Sequence, residues 1–201
     1  MMTLNGYFAT SRISESGSKD TSCMASFVLV LLGIMILLSR SCAVVLCCSQ
    51  VDFYFSNYSS SWEVKSAVGK VRYGGYEANL HLALSLARNS VFVTENGARL
   101  GEASVSKLIV VVTDNPSVNK SATLREAELL RDAGIGLVTI GVGTYLDRYE
   151  LSAVASYPYT DNMFVVNTVR RLSNFTEPVK RIICGGSYSS VHFSNIIIVH
   201  C

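Results

Sequence analysis

Few residues of this chain have the type and spacing that covalent chemistry needs. Gly141-Val142-Gly143 follows an apolar run, where a phosphate-cradling turn would stand. The fingerprint is incomplete, because Leu146-Asp147-Arg148 comes next, with no third glycine opening a helix and no acidic residue at the usual distance. Two glycines at a strand end also serve as a plain tight turn, so a nucleotide-binding α/β enzyme is the third-ranked reading. No G-x-S-x-G elbow occurs, which removes that class of hydrolase. His81 lies in a helical stripe and reads as a surface or half-buried residue. His192, His200 and Cys201 cluster near the end, where a metal role competes with a bland one. The expectation is a protein that is not an enzyme.

Cysteine and asparagine speak to compartment instead. Of six cysteines, Cys23, Cys42, Cys47 and Cys48 fall in or beside one apolar region, and only Cys184 and Cys201 lie outside it. No C-x-x-C pair suggests zinc. Cys47 or Cys48 can bridge to Cys184; free thiols are the equally open alternative. Asn57, Asn119 and Asn174 each begin an N-x-[ST] triplet and become glycosylation candidates in the secretory route.

The elements that position these residues begin after a leader, residues 1–48. Met24 to Leu38 reads MASFVLVLLGIMILL, and after Arg40 the apolar character continues through residue 47. Fifteen uninterrupted residues suit a signal-peptide core better than a membrane span, with cleavage expected after Ala43. With Arg40 snorkelling, residues 24–47 would instead anchor the chain in a membrane. Either way the remainder is exported, secreted or displayed outside the cell. The chain carries 17 Lys+Arg against 15 Asp+Glu over 201 residues, a balance that excludes a nucleic-acid binder needing a clustered basic face. Arg170-Arg171 and Lys180-Arg181 read as a solvated helix face, though matrix polyanions could use it.

From residue 51 to 184, apolar runs alternate with amphipathic stretches. Val51–Phe55 reads as a short strand and turn, Trp62–Val71 and Asn79–Asn89 as helices, and Lys107–Thr113 as a strand buried on both faces. Ser121–Ala133 is a helix with Leu124, Ala127, Leu130 and Ala133 inward, stopped by Gly134. Ile135–Val142 is the next buried strand, followed by a helix over Arg148–Ala155, a strand over Met163–Val166 and a terminal helix over Thr168–Ile183. This order predicts an α/β fold with a doubly wound, mostly parallel sheet. Residues 185–201 read as a Ser-rich tail with one apolar run and no clear partner.

KLIVVVTDN, a helix ending RDAGIGLVTIGVG, then LDRYELSAVAS and MFVV resemble the second half of a von Willebrand factor A (VWA) domain, a Rossmann-like fold. Upstream, FYFSNYSSSWEVKSAVGKVRYGGYEANLHLAL is similar to that family's edge strand, short helix, Gly-Gly turn and following helix. The matrilin-like proteins and the A domains of collagens come closest. The resemblance implies an Mg²⁺ or Ca²⁺ site at the carboxyl ends of the strands, with ligands from three loops: a D-x-S-x-S motif, a Thr after the Gly-Gly turn, and an Asp after the central strand. Only Asp114 keeps its place. The Thr position falls on Ala78, where Glu77 or Asn79 would have to substitute. Asn57-Tyr58-Ser59-Ser60-Ser61 mimics D-x-S-x-S, but its context is that of the edge strand, which favours a turn and helix cap.

The family's first strand, first helix and second strand have no counterpart after residue 51, so the fold is expected to be incomplete at its N-terminal side. That leaves Lys107–Thr113 with a bare edge, which Phe27–Leu32 of the leader could fill. No cofactor is expected, with Mg²⁺ or Ca²⁺ only where the missing first loop comes from elsewhere. The functional expectation is an extracellular adhesion or matrix protein-interaction module with a degenerate metal site, its partner a collagen-like or other VWA-containing matrix protein. A truncated or wrongly delimited gene product without independent activity is the alternative.

Overall fold

The structure, a computed structural model, describes residues 42–46, 50–68, 70–71, 77–102, 105–167 and 193–200. In chain order its elements are strands β1 (Cys42–Leu46) and β2 (Gln50–Phe53), helices α1 (Ser61–Val68) and α2 (Leu80–Leu86), and strand β3 (Ser106–Thr113). Then come helix α3 (Lys120–Asp132), strand β4 (Ile135–Val142), helix α4 (Arg148–Val154), the single turn α5 (Tyr159–Asn162), strand β5 (Met163–Val166) and strand β6 (Phe193–His200). A π-helical turn over Ala87–Val91 prolongs α2, and a 3-10 turn covers Thr94–Asn96.

Six strands form one sheet in the order β2-β1-β6-β3-β4-β5. Only β2, an edge strand, runs antiparallel to its neighbour. The parallel strands carry apolar residues on both faces because helices cover both. Leu108, Val110 and Val112 face one core with Val138, Ile140, Ile196 and Ile198, under Val64, Ala67 and Val68 of α1. Ile109 and Val111 face the other with Leu137, Ile197 and Val199, under α2, α3 and α4. The helix spacing of i, i+3, i+4, i+7 places Leu80, Ala83, Leu84 and Ala87 on that second core, all buried.

Several expectations change. The apolar run of the supposed tail is β6, in the middle of the sheet, with Ile196, Ile197 and Val199 fully buried. It covers the edge of β3 that was expected to be bare, in the place proposed for leader residues 27–32, which lie outside the described residues. CAVVL, which by composition belongs to the leader, is β1, with Cys42, Ala43 and Val45 buried. A strand therefore does stand upstream of residue 51. Cleavage after Ala43 would cut β1 behind its second residue. In α3, Thr123 takes an inward place because its hydroxyl has a buried partner, while Ala133 lies past the helix end and is exposed. The expected helix over 168–183 is outside the described residues.

Candidate functional site

The parallel strands β3 and β4 end at one rim of the sheet, and the loops after them are tied together there. After β3, the Thr113 hydroxyl donates to the Asn115 carbonyl at 2.7 Å, and the Asn115 side-chain amide donates to Asp114 Oδ1 at 2.5 Å. Asp114 is half-buried and Asn115 exposed. The next turn is pinned twice. Val118 N–H donates to the Ala78 carbonyl at 3.1 Å, which brings the loop before α2 against this one. Ser117 donates its N–H to Glu150 Oε2 at 3.1 Å and its hydroxyl to Glu150 Oε1. Thr123 Oγ1 lies 3.1 Å from Ser117 Oγ and 3.0 Å from the Asn119 carbonyl. Asn119 caps α3 by accepting from Ala122 N–H at 3.1 Å.

The loop after β4 is held in turn by Asp147. Its Oδ1 accepts Glu150 N–H at 3.1 Å as the cap of α4, and its Oδ2 accepts from Lys120 Nζ at 2.5 Å. The Lys120 ammonium beside it, followed by the Glu150 N–H, holds the Asp147 carboxyl below the usual carboxylate range, and the same contact raises Lys120. A shallow cleft on this rim is lined by Asn115, Pro116, Lys120, Tyr145, Asp147 and Arg148. Tyr145 and Tyr149 project from the rim, 82% and 77% exposed.

The sequence-derived ligand positions come together here, but they bring little oxygen. Ala78 is buried and offers only a methyl group, Glu77 is exposed, and Asn79 stands at the start of α2 without capping it. Among the described residues, no three His, Cys, Asp or Glu side chains converge as a metal cage. Among the described residues at these positions, Asp114 is the one carboxylate besides Glu77, and it is already engaged by Asn115.

The Asn57 cluster lies elsewhere. Because β2 is antiparallel to β1, its end points to the opposite rim from Asp114. There Asn57 Oδ1 accepts Tyr54 N–H at 2.6 Å, closing a turn. Ser60 Oγ accepts Glu63 N–H at 3.3 Å while Glu63 Oε2 accepts the N–H groups of Ser59 and Ser60 at 3.1 Å each, a capping box on α1. Those two backbone donors, Ser59 first, hold the Glu63 carboxyl below its usual range.

Gly141 has a packing reason. A Cβ there would stand 2.7 Å from Leu151 Cδ1 and 2.8 Å from Leu146 Cδ1. Gly143 adopts φ +109° and donates its N–H to the Val166 carbonyl at 2.7 Å, closing the turn. His81 is half-buried, and its Nδ1 has no partner among the described residues. Cys48, Cys184, Asn174, His192, Cys201 and the basic pairs at 170–171 and 180–181 fall outside the described residues. No helix among the described residues is long and apolar enough to cross a membrane, and residues 24–41 are not among them.

The sequence profile of the von Willebrand factor type A domain matches residues 43–178. The chain belongs to that family. The chain is 27% identical over 150 residues to Matrilin-2 of Mus musculus, covering 75% of this chain and 15% of that protein. It is also 27% identical over 150 residues to the Collagen alpha-5(VI) chain of Mus musculus, covering 75% of this chain and 6% of that protein. Among solved structures, proximal thread matrix protein 1 from the mussel byssus superposes with a TM-score of 0.69 at 20% identity, over 82% of this chain and 42% of that one. The chain thus spans less than a sixth of these two curated relatives and under half of the solved chain. The match starts at residue 43, inside β1, eight residues before the boundary expected from sequence.

Glu150 escaped the sequence reading. A carboxylate three residues after a capping Asp looks like a solvated helix face. Its one sequence signal is the adjacent Leu151, which turns that side of α4 inward.

Proposed function

We propose that this VWA domain is a non-enzymatic extracellular protein-interaction module that engages a matrix protein through the rim carrying Asp114, Tyr145 and Tyr149. Its relatives Matrilin-2 and the Collagen alpha-5(VI) chain support the matrix setting. Docking is independent of divalent cation, because the described residues at the expected ligand positions supply one carboxylate, Asp114, and no hydroxyl at Ala78. The observation that carries this reading is Ala78. It is buried against the loop that follows Asp114 and presents a methyl where the family resemblance calls for a hydroxyl. In place of a metal, the rim offers exposed tyrosines, which supply contact area at low entropic cost.

Export belongs to the same proposal, directed by the apolar leader and with its cut upstream of Cys42. Glycans on Asn57 and Asn119 are compatible with the fold. Both side chains are exposed and use only Oδ1 in the hydrogen bonds given above. A Cys48–Cys184 bridge would tie the connection between β1 and β2 to the segment that precedes β6 in the chain.

The test is binding of the full chain to immobilised collagen and matrilin in Mg²⁺ plus Ca²⁺ or in EDTA. Equal binding in both is expected, with a loss of about tenfold for Tyr145→Ala combined with Tyr149→Ala. Abolition by EDTA would replace this reading with a complete cation site, and no binding in either buffer would favour a chain without independent activity.

A further inference from the structure

The ladder pattern divides the sheet into two blocks. β1 pairs with β2 on one side, and β3 with β4 and then β5 on the other; among the described residues β6 alone joins them. Both of its ladders are parallel, with Ile196 to His200 opposite Cys42 to Leu46 on one side and Leu108 to Val112 on the other. The slot is apolar towards both cores, since Ile196 and Ile198 fill one while Ile197 and Val199 fill the other. Without β6, two facing strand edges would each present an unpaired row of N–H and C=O groups. Yet the strand that closes this gap lies outside the VWA match, which ends at residue 178. Twenty-six residues, 167–192, separate β6 from β5. Of these, 179–192 lie beyond the match, and a chain of that length spans at most roughly 50 Å, enough to reach a neighbouring copy.

We infer that β6 is a donor strand exchanged between two copies of this chain: the slot between β1 and β3 of one copy takes up Phe193–His200 of the other. The occupant must be an eight-residue strand with apolar side chains on both faces and fixed polarity, and the chain carries that sequence itself. Exchange reproduces every ladder bond and buried contact of the closed monomer, which makes identical-element swapping an accessible route to a dimer. The linker sets only the effective concentration of the strand's own copy against that of the partner copy. This inference goes beyond the rim-docking proposal and does not depend on it.

The test uses full-length chains. Val110 and Ile198 are cross-strand partners on the same core. A chain carrying Val110→Cys is refolded together with a chain carrying Ile198→Cys under mild oxidation, and the double variant is refolded alone as reference. Unmodified chain is followed by light scattering across concentration. Exchange predicts a disulfide-linked heterodimer mapped to positions 110 and 198, and an unmodified species with twice the 21.9 kDa mass of one chain that grows with concentration. A strictly monomeric unmodified chain would overturn the inference, as would a dimer in which 110 and 198 link only within the double variant.

Discussion

Glu150 reaches from the first turn of α4 to Ser117 and accepts both its backbone N–H and its hydroxyl, while only 4% exposed. One carboxylate thereby fixes the turn after β3 to the helix after β4. Removing it strands two buried donors, each costing on the order of 1–3 kcal/mol. Glu150→Ala should lower the stability of the full chain by about 3 kcal/mol, read as a shift in the urea midpoint at unchanged slope. Glu150→Gln, which keeps one acceptor, should lose less than half of that. Equal losses would mean that packing, not hydrogen bonding, holds the turn.

Asp147 and Lys120 should give the rim an acid-sensitive tie. The Asp147 carboxyl is depressed in the folded chain, chiefly by Lys120. Its contribution is therefore present above the unfolded value near 3.9 and lost as pH falls through the lower folded value. Lys120 is raised by the same partner, so its side of the tie persists below about pH 10.4 and fades above the folded value. The pair thus acts across the neutral range. Asp147→Asn, which keeps a capping oxygen, should remove the stability loss below about pH 4 that this pair causes. High salt should shrink the wild-type effect, since both groups are solvated. Unfolding midpoints between acid and neutral pH, compared for the two chains, check this.

Gly141→Ala should destabilise by about 1–3 kcal/mol, because its methyl would enter space held by Leu146 and Leu151. Leu146→Ala in the same chain should recover part of that loss. Neither form should bind fluorescent ATP saturably, since Gly141 is there for packing. Saturable binding abolished by Gly141→Ala would revive the nucleotide reading.

Cys42 is fully enclosed in β1, and burial pushes its thiol up to about 12. It should resist iodoacetamide at neutral pH until the chain unfolds, as followed by mass spectrometry of the peptide that carries it. The N-terminus of secreted material should likewise begin before Cys42. A terminus at residue 44 in folded, secreted protein would show that β1 holds without its first two residues.

Legibility in the sequence followed how local each signal is. The β4 bounds at Ile135 and Val142 were readable because Gly134 and Gly143 punctuate the run, and both adopt positive φ in the structure. The Ser59–Ser61 run was readable as a helix cap from its place before the helix, whereas Glu63, which completes the capping box, shows itself only in the structure. By contrast, Ile196–Val199 carries the composition of a buried strand but no indication of its partners, which sit in β1 and β3, far off in the chain. β1 was hidden because CAVVL continues the leader's apolar run, and composition cannot separate an export signal from a core strand. The rim's Asp114 and Ala78 were found through the resemblance, whereas Glu150 and its Ser117 partner depend on two loops meeting in space.

The central position of β6 also dictates a timetable. A nascent chain leaving the ribosome makes the pieces of both half-sheets, and the α2 and α3 helices between them, long before residue 193 is synthesised. Native closure must wait for translation of β6, with the β1 and β3 borders uncovered in the meantime. Such pairing between remote segments is slow and exposes sticky edges. Holdase chaperones, or a neighbouring polypeptide on the same polysome, would meet that open interval first.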